Sequence, residues 1–208
     1  MDGVLIDSHP VHKKVWAQFL ASLNRPVAED ELDFVLDGGK REEILRHFLG
    51  DLSSAQIREY GRRKNELFKE SERDLRMVSG VMEFLDTLEA AGIQMAVATS
   101  ASSVRAHDIL GRLGILPRLV AIITGDDVAK GKPDPEIFVR AGKGLNLAPK
   151  NLLVVEDAVS GIRAAKSAGM KCLGIASDGR SEKLRDAGAD RVIPDYRRIC
   201  LKEVQQLF

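Results

Sequence analysis

The sequence predicts an α/β protein in which a doubly wound parallel sheet carries an inserted all-helical domain. Two observations predict this class. From residue 78 onward, short apolar runs alternate with amphipathic segments of helical period, a pattern typical of right-handed crossovers onto a parallel sheet covered on both faces. From residue 10 to residue 77 the pattern is almost wholly helical. We therefore predict a core formed by residues 1–9 and 78–208, and a helical cap formed by residues 10–77.

Composition narrows the possible functions. The chain has 208 residues with 31 basic and 31 acidic side chains, so binding to nucleic acid through bulk charge is disfavoured. It has only two cysteines, Cys172 and Cys200, which excludes a disulfide scaffold and favours the cytoplasm. No apolar run approaches the ~20 residues of a membrane span, and the acidic start is unlike a signal peptide. We expect a cytoplasmic monomer or weak homodimer with no membrane or nucleic-acid partner.

The cap is predicted to contain four helical segments and no strand. The first begins near Pro10 and places apolar residues on one face, after which short helices are expected at 30–36 and 41–49. A longer helix is expected at 54–72. The buried positions predicted for the first and last of these helices are Val11, Val15, Trp16, Phe19, Leu20 and Leu23, and Ile57, Tyr60, Leu67 and Phe68.

The core is predicted to alternate helix and strand. Strands are expected at 93–98, 119–123, 152–155, 171–176 and 191–193. Helices are expected at 81–91, 102–113, 135–145, 158–168 and 182–187. Asp134 is a candidate N-cap with Pro135 in the first turn, and Gly114 is a candidate C-cap.

Polar side chains follow three of these strands. Thr99 and Ser100 come after the first, Lys132 comes in the loop after the second, and Glu156 and Asp157 come after the third. Because ligands of open parallel sheets bind at the carboxyl ends of the strands, we expect these groups to converge. A carboxylate pair suits Mg²⁺, and hydroxyls with a lysine suit a phosphate. Together they indicate metal-assisted phosphoryl chemistry.

Each of these residues also has a purely structural interpretation. Thr99 and Ser100 could end a strand and cap the next helix. Lys132 could be a solvated surface lysine, and Asp157 could be only an N-cap. Their order along the chain and their shared sheet edge favour the functional interpretation over the structural one.

Four ordered motifs resemble those of the haloacid dehalogenase (HAD) superfamily. The opening MDGVLIDS resembles the family's first motif, Thr99 stands at the second-motif hydroxyl, Lys132 in GKPDP matches the third-motif lysine, and the acidic pair in VVEDAVSGI matches the fourth motif. The helical insert matches the family's cap. Within the superfamily the chain looks most like the β-phosphoglucomutase-like branch. The residues that carry this resemblance are His12, Arg41 in GGKRE, and Lys64 and Asn65 in RRKNE.

The first motif departs from the family pattern. The family's nucleophile is the first Asp of Asp-x-Asp-Gly, and Asp2-Gly3 matches the second Asp and the glycine. The nucleophile would therefore stand immediately before Met1, at the end of an apolar strand that belongs in the middle of the family's sheet. We expect a truncated start, or a start codon assigned too far downstream, and strands beside that position with unpaired backbone groups.

The resemblance also implies a mechanism. In the family, the nucleophilic Asp forms an aspartyl-phosphate, and Mg²⁺ is bound by that Asp, the backbone carbonyl of Asp2, and Asp157, with Glu156 as a ligand or close by. The Asp2 side chain serves as general acid and then as general base. Thr99, Ser100 and Lys132 hold phosphate oxygens. In the cap, Arg41, Lys64, Asn65 and His12 are candidates for substrate contact, although Arg41 and Lys64 could be solvated and His12 merely structural.

The sequence is compatible with three functions. The first is a phosphatase of a small phosphorylated metabolite, of the sugar phosphate class. The second is a β-phosphoglucomutase, which returns the phosphoryl group to the sugar. The third is a catalytically inactive relic that binds only Mg²⁺ or phosphate, a possibility raised by the absence of the nucleophile from the chain as written.

Overall fold

A short antiparallel ribbon marks the place where the chain enters and leaves the cap. The computed structural model describes residues 1–72, 75–177 and 179–208, so residues 73 and 74 of the predicted cap lie outside the described part. β1 (Ile6–Asp7) pairs with β2 (Arg76–Met77), with Ile6 opposite Met77. The expectation of no strand within 10–77 is therefore wrong at β2, because a two-residue strand is too short to display an alternating pattern.

The described part of the cap includes three α-helices and a 3-10 helix. They are α1 (His9–Ala21), the 3-10 helix Glu31–Leu36, α2 (Arg41–Leu49) and α3 (Ser54–Ser71). The predicted apolar face of α1 is buried, except that Leu23 lies beyond the helix end and is only half-buried. In α3 the predicted positions Ile57, Tyr60 and Leu67 are half-buried. The deepest positions of α3 are instead Gly61, Lys64, Phe68 and Ser71.

The core alternates helices and strands as predicted. In chain order its elements are α4 (Val81–Ala90), β3 (Met95–Ala98), α5 (Ser103–Arg112), β4 (Leu119–Ile123), α6 (Glu136–Gly144), β5 (Leu153–Glu156), α7 (Val159–Ser167), β6 (Lys171–Ile175), α8 (Ser181–Asp186), β7 (Arg191–Ile193) and α9 (Leu201–Gln205). Gly114 follows α5 with a φ of 69°, which confirms its predicted place at the helix end. The prediction of Asp134 as N-cap is wrong by one position, because the N-cap is Pro135; the Asp134 carboxylate still accepts a hydrogen bond from the Glu136 amide at 3.0 Å.

The parallel strands form two sheets. β3 pairs with β4, and β6 lies between β5 and β7. Successive side chains of β6 point to opposite faces of the sheet, as in any β-strand. Cys172 packs into one apolar cluster, and Leu173 and Ile175 pack into another.

The apolar clusters support the division into core and cap. One core cluster joins Val97 and Leu173 to α4 and α5, and the other joins Val154 and Cys172 to α6 and α7. A third cluster belongs to the cap alone and has Trp16 among its buried members. Within the described ranges no helix is both long and apolar enough to cross a bilayer.

Candidate active site

A cavity of about 300 Å³ is lined by residues of both the cap and the loops that follow β3 and β5. Every residue singled out in the sequence contributes to its wall. From the core these are Asp2, Thr99, Ser100, Lys132, Glu156 and Asp157, and from the cap His12, Arg41, Lys64 and Asn65. The strand ends therefore bring the predicted groups together, as the parallel topology requires.

Lys132 and Glu156 form a buried ion pair on the core side of the cavity. Lys132 is only 7% exposed, so the interpretation as a solvated surface lysine is wrong. Its Nζ donates to Glu156 Oε1. Glu156 Oε2 accepts the amide hydrogens of Asp157 and Ala158 at 2.9 and 3.2 Å. Burial disfavours the ionised form of Glu156, but Lys132 outweighs it and lowers the pKa of this carboxyl below its ordinary value.

Asp157 faces the first motif. His9 Nε2 lies 2.6 Å from Asp157 Oδ2, and burial together with Glu156 raises the pKa of the Asp157 carboxyl. The N-cap of α7 is Ala158, so Asp157 is not the helix cap. Gly3 has a φ of 63°, and a Cβ there would overlap the Asp157 carboxylate. Glycine thus allows the first-motif backbone to lie directly against this carboxylate.

The donors around Asp157 fit a small hard cation. The side chains that the structure describes include no cluster of three or more His, Cys, Asp or Glu arranged around one metal position. Two buried carboxylates, Glu156 and Asp157, do line the cavity, and that of Asp157 lies against the first-motif backbone at Gly3. Mg²⁺ commonly takes one or two protein carboxylates and retains several waters. This set therefore suits Mg²⁺ better than a metal that needs an all-protein cage.

Asp2 is held by Arg105, which no sequence pattern predicted as a site residue. Arg105 of α5 donates two hydrogen bonds to its carboxylate, Nη1 to Oδ2 at 2.7 Å and Nη2 to Oδ1 at 2.6 Å. His12 Nε2 lies 3.2 Å from Asp2 Oδ1. Burial opposes ionisation of Asp2, but the Arg105 guanidinium and these hydrogen bonds hold its pKa well below its usual range. Asp2 is therefore an ionised carboxylate in this arrangement.

The two hydroxyls after β3 have different partners. Thr99 Oγ1 accepts the Ala101 amide hydrogen at 3.2 Å, which leaves its own hydroxyl hydrogen available to a ligand. Ser100 Oγ donates to the Gly38 carbonyl in the cap at 3.0 Å. The Thr99 hydroxyl can thus still donate a hydrogen bond to a ligand, whereas the Ser100 hydroxyl already donates to the cap.

A cap segment, residues 37–40, contacts two core loops and the first turn of α7, and we call it the docking loop. Besides the bond from Ser100, the Asp37 carbonyl accepts a hydrogen bond from Ser160 Oγ. Lys40 Nζ donates to the carbonyls of Val128 and Ala129 at 2.9 and 3.0 Å. The docking loop therefore fastens the cap to the segments that carry the predicted second, third and fourth motifs.

The predicted cap residues lie on the opposite wall. His12 contacts the Phe68 ring with a centroid separation of 4.8 Å, and burial together with nearby Lys64 lowers the pKa of His12 to about 4. His12 is therefore a neutral donor to Asp2 near pH 7. Lys64 is buried, whereas Arg41 begins α2, is exposed and still borders the cavity. Asn65 also lines it.

Sequence reasoning missed Arg105, Lys40 and His9. Arg105 lies six positions after Thr99, in the first turn of a helix that begins at the sheet edge. Lys40 immediately precedes Arg41, and His9 lies between the first motif and His12. Each lies within a few residues of a recognised motif, but proximity in sequence does not reveal a partner 88 to 148 residues away.

Comparison with known proteins assigns the family. The model of the haloacid dehalogenase-like hydrolases matches residues 1–175, and the chain belongs to this family of enzymes. Its relatives place it in the β-phosphoglucomutase-like branch.

Individual relatives are similar over nearly the whole chain. The phosphorylated carbohydrates phosphatase of Thermotoga maritima is 32% identical, over 98% of this chain and 96% of its own length. The β-phosphoglucomutase of Bacillus subtilis is 32% identical, over 93% and 86%. The crystal structure of a HAD hydrolase, family IA, variant 3, from Entamoeba histolytica superimposes with a TM-score of 0.89 at 26% identity, covering 100% of this chain and 96% of that one.

Proposed function

We propose that this chain is a Mg²⁺-dependent phosphatase of a small phosphorylated metabolite of the sugar phosphate class. The observation that carries the proposal is the buried Lys132–Glu156 pair, which shares one cavity with Thr99, Asp157 and Asp2. A buried ammonium, a free hydroxyl hydrogen and two carboxylates are what a phosphate and its cation require. The names of two relatives, a phosphatase of phosphorylated carbohydrates and a hexitol phosphatase, support the substrate class.

Each residue has a role in this proposal. Glu156, Asp157 and the Asp2 backbone carbonyl would hold Mg²⁺, which when bound neutralises charge on the phosphate. Lys132 donates only one of its three hydrogens to Glu156, so its ammonium can also bind phosphate oxygens together with Thr99. Asp2 would exchange protons with the leaving oxygen and with water. Its contacts with Arg105 keep the Asp2 carboxylate ionised, as it must be to accept a proton from water. To donate a proton to the leaving oxygen, Asp2 must first separate from Arg105 and be protonated.

The test is Mg²⁺-dependent phosphate release from a panel of sugar phosphates. In the register proposed for the first motif, the nucleophile would stand immediately before Met1, so the assay compares the 208-residue chain with the same chain preceded by an added apolar strand that ends in Asp. We expect turnover only from the extended chain, abolished by Asp2→Asn and by chelation of Mg²⁺. Robust turnover by the unextended chain would contradict the register. A folded extended chain that releases no phosphate from any substrate would contradict the phosphatase.

A second candidate is a β-phosphoglucomutase, favoured by the relatives that carry this name. The two activities share the same motifs, so the extended chain must also be assayed for isomerisation of β-glucose 1-phosphate. Isomerisation that exceeds phosphate release would establish the mutase. Binding of Mg²⁺ and phosphate without either reaction would establish the inactive relic.

A further inference from the structure

His9 stands between the Asp157 carboxylate and an arginine at the start of α8. Its Nε2 lies 2.6 Å from Asp157 Oδ2, and its Nδ1 lies 2.9 Å from Arg180 Nη2. A guanidinium only donates hydrogen bonds, so Nδ1 of His9 is the acceptor in this contact. The ring hydrogen therefore lies on Nε2, from which His9 donates to the carboxylate. His9 thus binds one particular oxygen of Asp157 through a ring whose orientation Arg180 fixes.

Arg180 also holds the main chain of Asp157. Its Nη1 donates to the Asp157 carbonyl at 3.0 Å, while Nη2 of the same guanidinium contacts His9. Because the fork of an arginine is planar and rigid, these two bonds fix the His9 ring relative to the Asp157 backbone. The three residues therefore form a closed set of contacts that holds both the backbone and the carboxylate of Asp157.

The contact between His9 and Asp157 is enclosed by the first-motif backbone. The two side chains are only 17% and 11% exposed. A Cβ at Gly3 would overlap both His9 Nε2 and Asp157 Oδ2, so the chain passes directly against this hydrogen bond. The contact does not cap a helix, because the N-caps of α1 and α7 are Ser8 and Ala158. Its effect is instead to orient a carboxylate that lines the cavity.

We propose that His9 and Arg180 are positioning residues for the cation site, because they hold the Asp157 carboxylate in the orientation in which it binds Mg²⁺. The identity of the cation rests on the proposed function. Neither positioning residue is a ligand here: Mg²⁺ takes oxygen ligands, and His9 Nε2 is engaged by Asp157. Replacing a residue that orients a metal ligand typically lowers metal affinity about 10- to 100-fold.

Charge and orientation predict opposite effects at Arg180. A guanidinium that contacts Asp157 repels a cation bound there, so loss of its charge alone would strengthen Mg²⁺ binding in Arg180→Met. Loss of the orientation that Arg180 imposes would weaken the binding instead. The sign of the change therefore separates a positioning role from a purely electrostatic one.

The experiment titrates the 208-residue chain and its variants with Mg²⁺ by calorimetry at one fixed pH. We expect His9→Leu and Arg180→Met each to weaken binding about tenfold or more. His9→Gln should recover most of the lost affinity, because its side-chain amide can place an N–H where Nε2 stands. The matched control is Arg163→Met, at an exposed position of α7. Arg163 and Arg180 both act on Asp37 through space, and Arg163→Met should bind Mg²⁺ at least as tightly as the wild type.

The tautomer of His9 tests the same geometry without metal. Nitrogen NMR of the imidazole rings distinguishes a ring that carries its hydrogen on Nε2 from one that carries it on Nδ1. The chain has four histidines, and the signal that disappears in His9→Gln identifies His9. We expect the Nε2–H form in the wild type and a mixture of both forms in Arg180→Met, where the contact that fixes the ring is lost.

The outcomes separate this proposal from the proposed function. The positioning roles are overturned if Arg180→Met binds Mg²⁺ as tightly as the wild type or more tightly, or if His9 carries its hydrogen on Nδ1. If His9→Leu fails to fold, these two measurements decide. A wild type that binds no Mg²⁺ would overturn the positioning roles and the cation site together. If the variants lose affinity as expected but the extended chain releases no phosphate, the phosphatase is contradicted and the positioning roles stand.

Discussion

Burial disfavours the ionised form of each charged side chain in the cavity, and the presence of a charged partner decides whether that side chain is ionised. Asp2 is buried but ionised, because Arg105 donates two hydrogen bonds to it. Among the residues that the structure describes, no carboxylate forms an ion pair with buried Lys64, and burial lowers the pKa of Lys64 instead. Asp157 lies between these cases: its contact with His9 favours ionisation, while burial and Glu156 raise its pKa.

Lys64 should make the stability of the protein rise with pH in the alkaline range. Folding lowers its pKa from 10.5 to about 7, first through burial and then through Arg105 and Arg41. Between these two values the unfolded chain binds more protons than the folded chain, so the free energy of unfolding rises with pH. Lys64→Met should therefore be more stable than the wild type at pH 7. We expect this advantage to shrink by about 4 kcal/mol toward pH 10, as measured by urea unfolding. A constant difference between the two proteins would show that Lys64 does not titrate in this window.

Asp157→Asn should weaken Mg²⁺ binding at least about tenfold and leave the fold intact. The amide keeps the shape of the side chain but removes a charged oxygen ligand. Isothermal titration with Mg²⁺ measures the affinity, and circular dichroism checks the fold. Asp108→Asn, at an exposed position of α5, is the matched control and should bind Mg²⁺ like the wild type. Unchanged affinity in Asp157→Asn would remove Asp157 from the metal site.

Among the structural elements, the short docking loop makes several of the hydrogen bonds that attach the cap to the core. Residues 37–40 carry two backbone carbonyls that accept core hydroxyls and one lysine that donates to core carbonyls. Gly131 makes room for this lysine, because a Cβ there would come within 2.7 Å of the Lys40 side chain. The cap is thus fastened at the loops that carry the predicted site rather than only through its hinge at β1 and β2.

Lys40→Met should loosen this attachment. The substitution removes two hydrogen bonds from a charged donor, and each such bond contributes about 1.5–3 kcal/mol. We expect amide hydrogen exchange in residues 37–40 and 126–131 to become at least about tenfold faster, while exchange in β6 stays unchanged. Lys69→Met provides the control for loss of a lysine charge in the cap. Unchanged protection in both segments would mean that other contacts hold the cap in place.

At the scale of the whole molecule, one ion pair joins the first motif to α5 under the cap. Asp2 and Arg105 are 103 residues apart, and the guanidinium stacks on Phe68 of α3. This contact therefore unites three regions of the chain: the first motif, the core helix that follows the second motif, and the cap.

A double-mutant cycle should reveal this long-range coupling. Asp2→Asn or Arg105→Gln alone leaves a buried partner uncompensated and should cost about 3–5 kcal/mol, whereas the double variant should cost clearly less than the sum. Urea unfolding provides the free energies. The exposed pair Asp86 and Arg118, with N and O atoms 2.6 Å apart, is the control and should couple by less than about 1 kcal/mol. Equal coupling in both cycles would contradict a special role for the buried pair.

The sequence alone determined the α/β class, the strands β3 to β7 and the place where Thr99, Lys132, Glu156 and Asp157 meet. These features follow from local periodicity and from the rule that parallel strands end at one edge. Tertiary structure alone decided that Arg105 holds Asp2, that Lys40 fastens the cap and that Lys64, rather than Tyr60 or Leu67, lies on the deepest line of α3. Those contacts depend on how the cap packs against the core. The partner of a buried charge is then a side chain distant in sequence, and no local pattern encodes it.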